Sequence, residues 1–299
     1  MTFAIVLGNA DQIIQVSDRR LTWKGGLVDD ASSKAGHILC DDASLLYCFT
    51  GLAQTGRGHV TSQWLLKTIQ TASKRASIYR ELIEFFAEEA TEYFFNSPEI
   101  QSLPASNRRL TVMFSGYKSD QSIVSALVSN FQDFTNFIDY PEAKKEFVVF
   151  AERTTIPATQ NPTFIQAIGQ FHAMDSIVEQ QLREMLQIRA PAEALRQKAI
   201  KLVQDIAIRN KSGGTVGCKL NTASINFIDP QFPYSGYISD EIENNISLVD
   251  QIDARSVGTG LVISDFKITS DKPVVFPKVH RNALCPCGSG KRFRFCHRG

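Results

Sequence analysis

Cys285-Pro-Cys287, a gap of eight residues, and then Cys296-His297 set three thiols and one imidazole in two close pairs. Zinc takes four soft or borderline ligands in a tetrahedron, and thiolates with an imidazole supply that set. Pro286 stiffens the first pair, while Gly288 and Gly290 permit the reversal between the pairs. A segment of about twenty residues buries too little apolar surface to fold alone, so the metal would supply its folding free energy. The expectation is one structural zinc per chain, held by Cys285, Cys287, Cys296 and His297. Gly288-Ser-Gly-Lys291 is not a phosphate loop, because it lacks the spaced first glycine and the hydroxyl residue after the lysine.

The opposite end offers a different chemistry. Thr2 follows Met1, and a side chain that small predicts removal of the methionine. Thr2 would then carry a free α-amine beside its hydroxyl. An α-amine titrates near 7.7–8.0, against about 10.4 for lysine, so it can accept the proton of the neighbouring hydroxyl. Asp18 lies sixteen residues after Thr2, and Lys34 sixteen after Asp18. Asp18 would end the strand antiparallel to the one starting at Thr2, and Lys34 would precede the next strand. All three then gather at one sheet edge. There the lysine ammonium depresses the pKa of the amine, and Asp18 keeps the lysine charged.

The elements that must position these groups follow from periodicity. Apolar runs over 2–7 and 12–17, joined by Gly8-Asn-Ala-Asp11, predict a hairpin. A charged, glycine-rich stretch over 18–30 leads to a second strand pair, 37–40 and 44–50. Two helices follow, and in the second Ile78, Leu82, Phe85, Phe86, Ala90 and Tyr93 recur with a 3.6-residue period. Strands are expected at 110–117, 122–128 and 147–150, then helices at 173–188 and 191–208. In the last helix Ala192, Leu195, Ala199, Leu202, Val203 and Ile206 make the apolar stripe, with Pro191 at the first turn. Ser212-Gly213-Gly214 ends it, and strands follow at 215–220 and 223–228. Strands, two helices, strands, two helices and strands predict an α+β sandwich. Pro230, Pro233, Gly236 and the acidic 240–243 read as surface loop, with one more strand at 261–268.

Composition narrows the class. The chain has 299 residues, 43% apolar and 21% charged, with a net charge of +1, so it is not a general polyanion binder. No apolar run reaches the ~18 residues of a membrane helix, and the start lacks the basic leader of a signal peptide. Three of the six cysteines fall in the last fifteen residues, which suits metal ligation in a reducing cytoplasm. Cys40, Cys48 and Cys218 sit in or beside apolar stretches and read as small buried hydrophobes. His37, His59, His172 and His280 read as ordinary surface or satisfied histidines.

Two family resemblances rest on these residues. The segment from Arg281 through Cys285, Cys287 and Cys296 to His297 resembles the SEC-C motif, known from the tail of the bacterial translocase motor ATPase and as an appendage elsewhere. That resemblance implies zinc binding in a docking module. Lys278, Arg281, Lys291, Arg292, Arg294 and Arg298, with Phe293 and Phe295 and no acid, suit an acidic protein surface, nucleic acid or the ribosome. Thr2, Asp18 and Lys34 match in spacing the catalytic residues of the proteasome β-subunit family of N-terminal nucleophile hydrolases. Val16-Ser-Asp18-Arg-Arg-Leu-Thr22, Phe49-Thr-Gly51-Leu-Ala53 and Ser212-Gly213-Gly214 resemble other stretches of that family.

The second resemblance implies a four-layer αββα sandwich over 1–228, an extension over 229–278 and the zinc motif over 279–299. It makes Gly51 the backbone donor of an oxyanion hole and a peptide or amide the substrate. It also implies a homo-oligomeric ring and leaves any ATPase partner unspecified. Two supporting positions depart from the family pattern: Gln170 stands where a serine is usual, and Arg209 where an aspartate is. The expected activity is that of a cytoplasmic threonine amidohydrolase. The rivals are a non-catalytic assembly subunit of the same fold and an adapter acting through its tail.

Overall fold

The computed structural model describes residues 2–23, 26–29, 34–120, 122–136, 138–151, 162–209, 215–228, 230, 234–238, 246–247, 250–255, 261–263 and 267–268. The predicted zinc ligands, His280 and Ser212-Gly213-Gly214 lie outside the described residues.

The chain opens with β1 (Phe3–Gly8) and β2 (Gln12–Asp18), followed by a short ribbon of β3 (Leu21–Trp23) and β4 (Gly26–Asp29). β5 (Ala35–Leu39) and β6 (Ala43–Gly51) form the second hairpin, and α1 (Thr61–Ser73), α2 (Tyr79–Asn96) and the single turn α3 (Pro98–Gln101) come next. β7 (Leu110–Lys118), β8 (Ile123–Ser129), the small hairpin of β9 (Gln132–Asp133) and β10 (Ile138–Asp139), β11 (Val148–Ala151) and β12 (Phe164–Gly169) lead to α4 (Ser176–Gln187) and α5 (Ala192–Ile208). β13 (Leu220–Asn226), β14 (Tyr234–Ile238), β15 (Ile246–Ser247), β16 (Asp250–Asp253), β17 (Leu261–Ile263) and β18 (Lys267–Ile268) complete the order.

Two large sheets result, one in the order β12-β1-β2-β13-β14 and one in the order β11-β8-β7-β6-β5-β16-β17. Every residue of β1 and β2 is buried, because each sheet is covered on both faces. Alternation along the strands sorts the apolar side chains into three layers. Phe3, Ile5, Ile14 and Val16 pack on Leu182 of α4 and on Leu195, Leu202 and Val203 of α5. Leu45, Phe49, Val112 and Phe114 pack on Leu65 of α1 and on Leu82 and Phe86 of α2. Ala4, Val6, Leu46, Cys48, Met113 and Ile168 meet between the sheets. The architecture is a four-layer αββα sandwich, within the α+β class expected from the element order and as the proteasome-like resemblance implied.

Three differences from the sequence expectation are physical. The buried stripe of α2 runs through Tyr79, Leu82, Ile83, Phe86, Ala87, Ala90 and Phe94, so Ile78 is exposed and Phe85 and Tyr93 flank the core. β12 is an additional strand, paired with β1 across its whole length, and no strand forms over 215–219. The sandwich also continues past residue 228. β14, which includes Gly236, extends one sheet beside β13, and β16 pairs with β5 in parallel to extend the other. The compact unit runs to Ile268. No helix among the described residues is long and apolar enough to cross a membrane.

Candidate active site

Thr2, Asp18 and Lys34 converge at one end of the sandwich. Thr2 immediately precedes β1, Asp18 is the last residue of β2, and Lys34 immediately precedes β5. The β1–β2 register pairs Ala4 with Ser17, which brings the start of one strand beside the end of the other. Lys34 Nζ donates to Thr2 Oγ1 at 2.5 Å, to Asp18 Oδ1 at 3.3 Å and to the Arg20 carbonyl at 2.7 Å. Each of the three ammonium protons thus has an acceptor. All three side chains are buried: Thr2 is 5% exposed, Asp18 0% and Lys34 1%.

Asp18 is surrounded by donors. Oδ1 accepts from the Phe3 N–H at 3.2 Å, and Oδ2 from the N–H groups of Arg20 and Gly217, both at 3.3 Å. Burial pushes the carboxyl above its ordinary pKa, while the Lys34 charge and the Gly217 and Phe3 N–H groups pull it down. Among the described residues its partners are all donors, a set that fits the ionised form.

The Thr2 carbonyl is held as well. It accepts from the Gln170 N–H at 3.1 Å and from Thr50 Oγ1 at 3.4 Å. Gly169 passes so close that a Cβ there would stand 1.9 Å from the Thr2 oxygen, and its φ is +82°. Both facts demand glycine. Gln170 therefore reaches this site through its backbone.

Gly51 has φ +110°, and a Cβ on it would stand 2.1 Å from the Arg109 carbonyl. Leu52 N–H donates to Arg109 O at 2.6 Å, which makes Leu52–Arg109 a hydrogen-bonded pair. By the alternation of antiparallel ladders, Gly51–Leu110 is then a non-bonded pair. Leu110 agrees, since its N–H and C=O are both engaged with Asn130 on the far side. The Gly51 N–H therefore points away from β7, toward the side where the paired part of β5 ends at Ala35. Thr50, which touches Thr2, is its neighbour.

Arg209 lies at the end of α5, well exposed and 3.8 Å from Asp205, with no described part in this site. Of the histidines, His37 and His59 are buried, and His172 is exposed beside Asp139. His37 Nε2 lies 2.8 Å from Ser44 Oγ.

Comparison with solved structures places this architecture. Anbu (ancestral beta-subunit) from Yersinia bercovieri matches with a TM-score of 0.52 and 13% identity, over 80% of this chain and 88% of that one. The chain has the Anbu fold. An Anbu Gly-1 mutant from Hyphomicrobium sp. strain MC1 gives the same TM-score at 10% identity, over 81% of this chain and 88% of that one. This is the proteasome-like sandwich that Thr2, Asp18 and Lys34 had implied.

A second likeness is to a short motif. Residues 281–299 match the family model of the SEC-C motif. A 77-residue stretch, 25% of this chain, is 35% identical to protein translocase subunit SecA from Chloroflexus aurantiacus. It spans only 7% of that protein's length.

Thr50, Gly169 and Gly217 join the site without having been singled out for it. Thr50 sits inside the Phe49–Ala53 stretch and Gly169 directly before Gln170, so neighbourhood to Gly51 and to Gln170 was the available signal. Gly217 has no local signal, because its partner lies 199 residues away in sequence.

Proposed function

We propose that the chain is an amide or peptide hydrolase whose nucleophile is the hydroxyl of Thr2. The contact of Lys34 Nζ with Thr2 Oγ1 at 2.5 Å, inside a buried Lys34–Asp18 pair, carries this reading. With Met1 removed, Thr2 passes its hydroxyl proton to its own α-amine and attacks the substrate carbonyl. Lys34 stabilises the developing alkoxide, and the Gly51 N–H holds the oxyanion of the tetrahedral intermediate. The amine returns the proton to the leaving group, and water then releases the acyl group from Thr2.

The test is hydrolysis of a panel of fluorogenic peptide amides. Wild type and Thr2→Ser should turn over at least one substrate, and Thr2→Ala none. Equal turnover by Thr2→Ala would remove the proposal and favour a non-catalytic assembly role.

The tail has its own part in this reading. Three thiols and an imidazole form a donor set that suits zinc, and Cys285, Cys287, Cys296 and His297 would hold it. The metal would supply the folding free energy of the knuckle. The basic residues between and around the ligands would then dock on an acidic protein surface or RNA. A homo-oligomeric ring, implied by the proteasome-like resemblance, is read by sedimentation of the purified chain.

A further inference from the structure

Leu52, the residue after Gly51, is fixed through both of its backbone groups. Its N–H donates to Arg109 O, and its carbonyl accepts from Thr61 Oγ1 at 2.7 Å. Thr61 is the first residue of α1, yet the N-cap of that helix has no side-chain hydrogen bond. The Thr61 hydroxyl is turned back to Leu52.

The hydrogen-bond directions beyond Thr61 follow by elimination. The single hydroxyl proton of Thr61 goes to Leu52 O, so Thr61 Oγ1 must accept from His59 Nε2, 2.9 Å away. The proton is then on Nε2, and His59 Nδ1 accepts from the Tyr93 hydroxyl at 3.1 Å. The neutral ring satisfies every partner in this sequence. Burial supports that state by pushing the His59 pKa down to about 4.

The surroundings are closed. Thr61 is 0% exposed and His59 4%, with the rings of Trp64, Tyr93 and Phe94 at 5.9, 5.6 and 6.2 Å. The intervening loop is clasped at its base, with Thr55 N–H donating to His59 O at 2.9 Å and Thr61 N–H to Ala53 O at 2.8 Å.

We propose that Tyr93, His59 and Thr61 form a directed hydrogen-bond relay that positions the Gly51–Leu52 turn, and with it the Gly51 N–H, for the oxyanion. This deepens the threonine-nucleophile reading and rests on it for its kinetic consequence. None of the three side chains touches a reacting atom, so they are positioning residues. Their effect falls on the reaction step, because a donor misplaced by about 1 Å can cost on the order of a hundredfold in rate.

Five variants test the relay. Thr61→Val and His59→Phe keep shape and lose the donor. Thr61→Ser and His59→Gln keep a donor at the same reach. Tyr93→Phe, at the half-buried end, removes one hydroxyl with little risk to folding. Each is treated with a peptide β-lactone, and labelling of Thr2 is resolved into a binding constant and a maximal rate. Hydrogen exchange of the peptide covering 50–54 and the thermal midpoint are recorded alongside.

The relay predicts that Thr61→Val and His59→Phe lower the maximal rate about tenfold to a hundredfold at nearly constant binding, with faster exchange. Tyr93→Phe moves the same way by less, and Thr61→Ser and His59→Gln stay near wild type. Wild-type rates in the donor-less variants would overturn it. So would Ser and Gln variants as slow as Val and Phe, because shape rather than hydrogen bonding would then matter. If His59→Phe does not fold, Thr61→Val and Tyr93→Phe decide. A wild-type protein that takes no label overturns the nucleophile reading instead, and the exchange measurement alone then decides whether the relay fixes the turn.

Discussion

Lys34 is almost completely enclosed, and an ammonium in that position is tolerated only because Asp18, the Arg20 carbonyl and Thr2 Oγ1 satisfy its protons. Removing one partner strands the other. Lys34→Ala should therefore destabilise the fold by roughly 3–5 kcal/mol as well as abolish turnover, whereas Thr2→Ala, which leaves Lys34 two of its three acceptors, should abolish turnover at a smaller cost of about 1–3 kcal/mol. Urea unfolding of the two variants separates these effects. Gly169→Ala should impair both, since a Cβ would strike the Thr2 carbonyl and the backbone sits at φ +82°. Stability should also fall on acidification for a nameable reason. Burial lowers the pKa of His37 and of His59 to about 4, against about 6.5 in the unfolded chain. Unfolding takes up protons between those values, so stability holds above pH ~6.5 and declines as pH falls toward 4. Thermal midpoints measured from pH 7 to 4.5 should show the decline, with a shallower slope in His59→Gln. At this scale Thr2, Asp18 and Lys34 were legible because hairpin geometry turns their spacing into proximity. Thr50 and Gly217 were not, because their partners are 48 and 199 residues away.

The helices and hairpins that carry the site follow from local pattern. Leu195, Ala199, Leu202, Val203 and Ile206 are buried as their period predicts. In α2 Leu82, Phe86 and Ala90 are buried as predicted, but the stripe is turned slightly, so that Phe85 and Tyr93 flank the core while Ile83, Ala87 and Phe94 enter it. The Arg75 guanidinium lies over the Phe85 ring at 3.8 Å, which gives that residue a partner outside the core. Phe86 sits at the centre of this layer, with ring centroids 6.1 Å from Trp64 and 5.6 Å from Phe114. Phe86→Ala should cost about 3–5 kcal/mol in urea unfolding, while the folded fraction still labels at Thr2. β12, β14 and β16 were missed for a common reason. Each is short, at most six residues, and earns its place by pairing with a strand distant in sequence.

For the whole molecule, the proposal assigns a different chemistry to each end. The Anbu fold accounts for the sandwich, and the SEC-C motif accounts for 281–299. If the knuckle is built from its own residues, Cys285→Ser combined with Cys287→Ser should abolish about one bound zinc per chain and leave the thermal midpoint of the sandwich unchanged. Deleting 279–299 should leave hydrolysis of small amides intact and remove a partner from pull-downs. Loss of small-amide hydrolysis in a folded truncation would instead put the tail in the active site. The central claim is that Thr2 is a nucleophile with a free amine, and intact-mass spectrometry of the purified wild type tests it most directly. The prediction is a mass lacking Met1 that gains one adduct from a threonine-directed electrophile, with the adduct mapped to Thr2. Met1 retained on every molecule, or no adduct at Thr2, would contradict it.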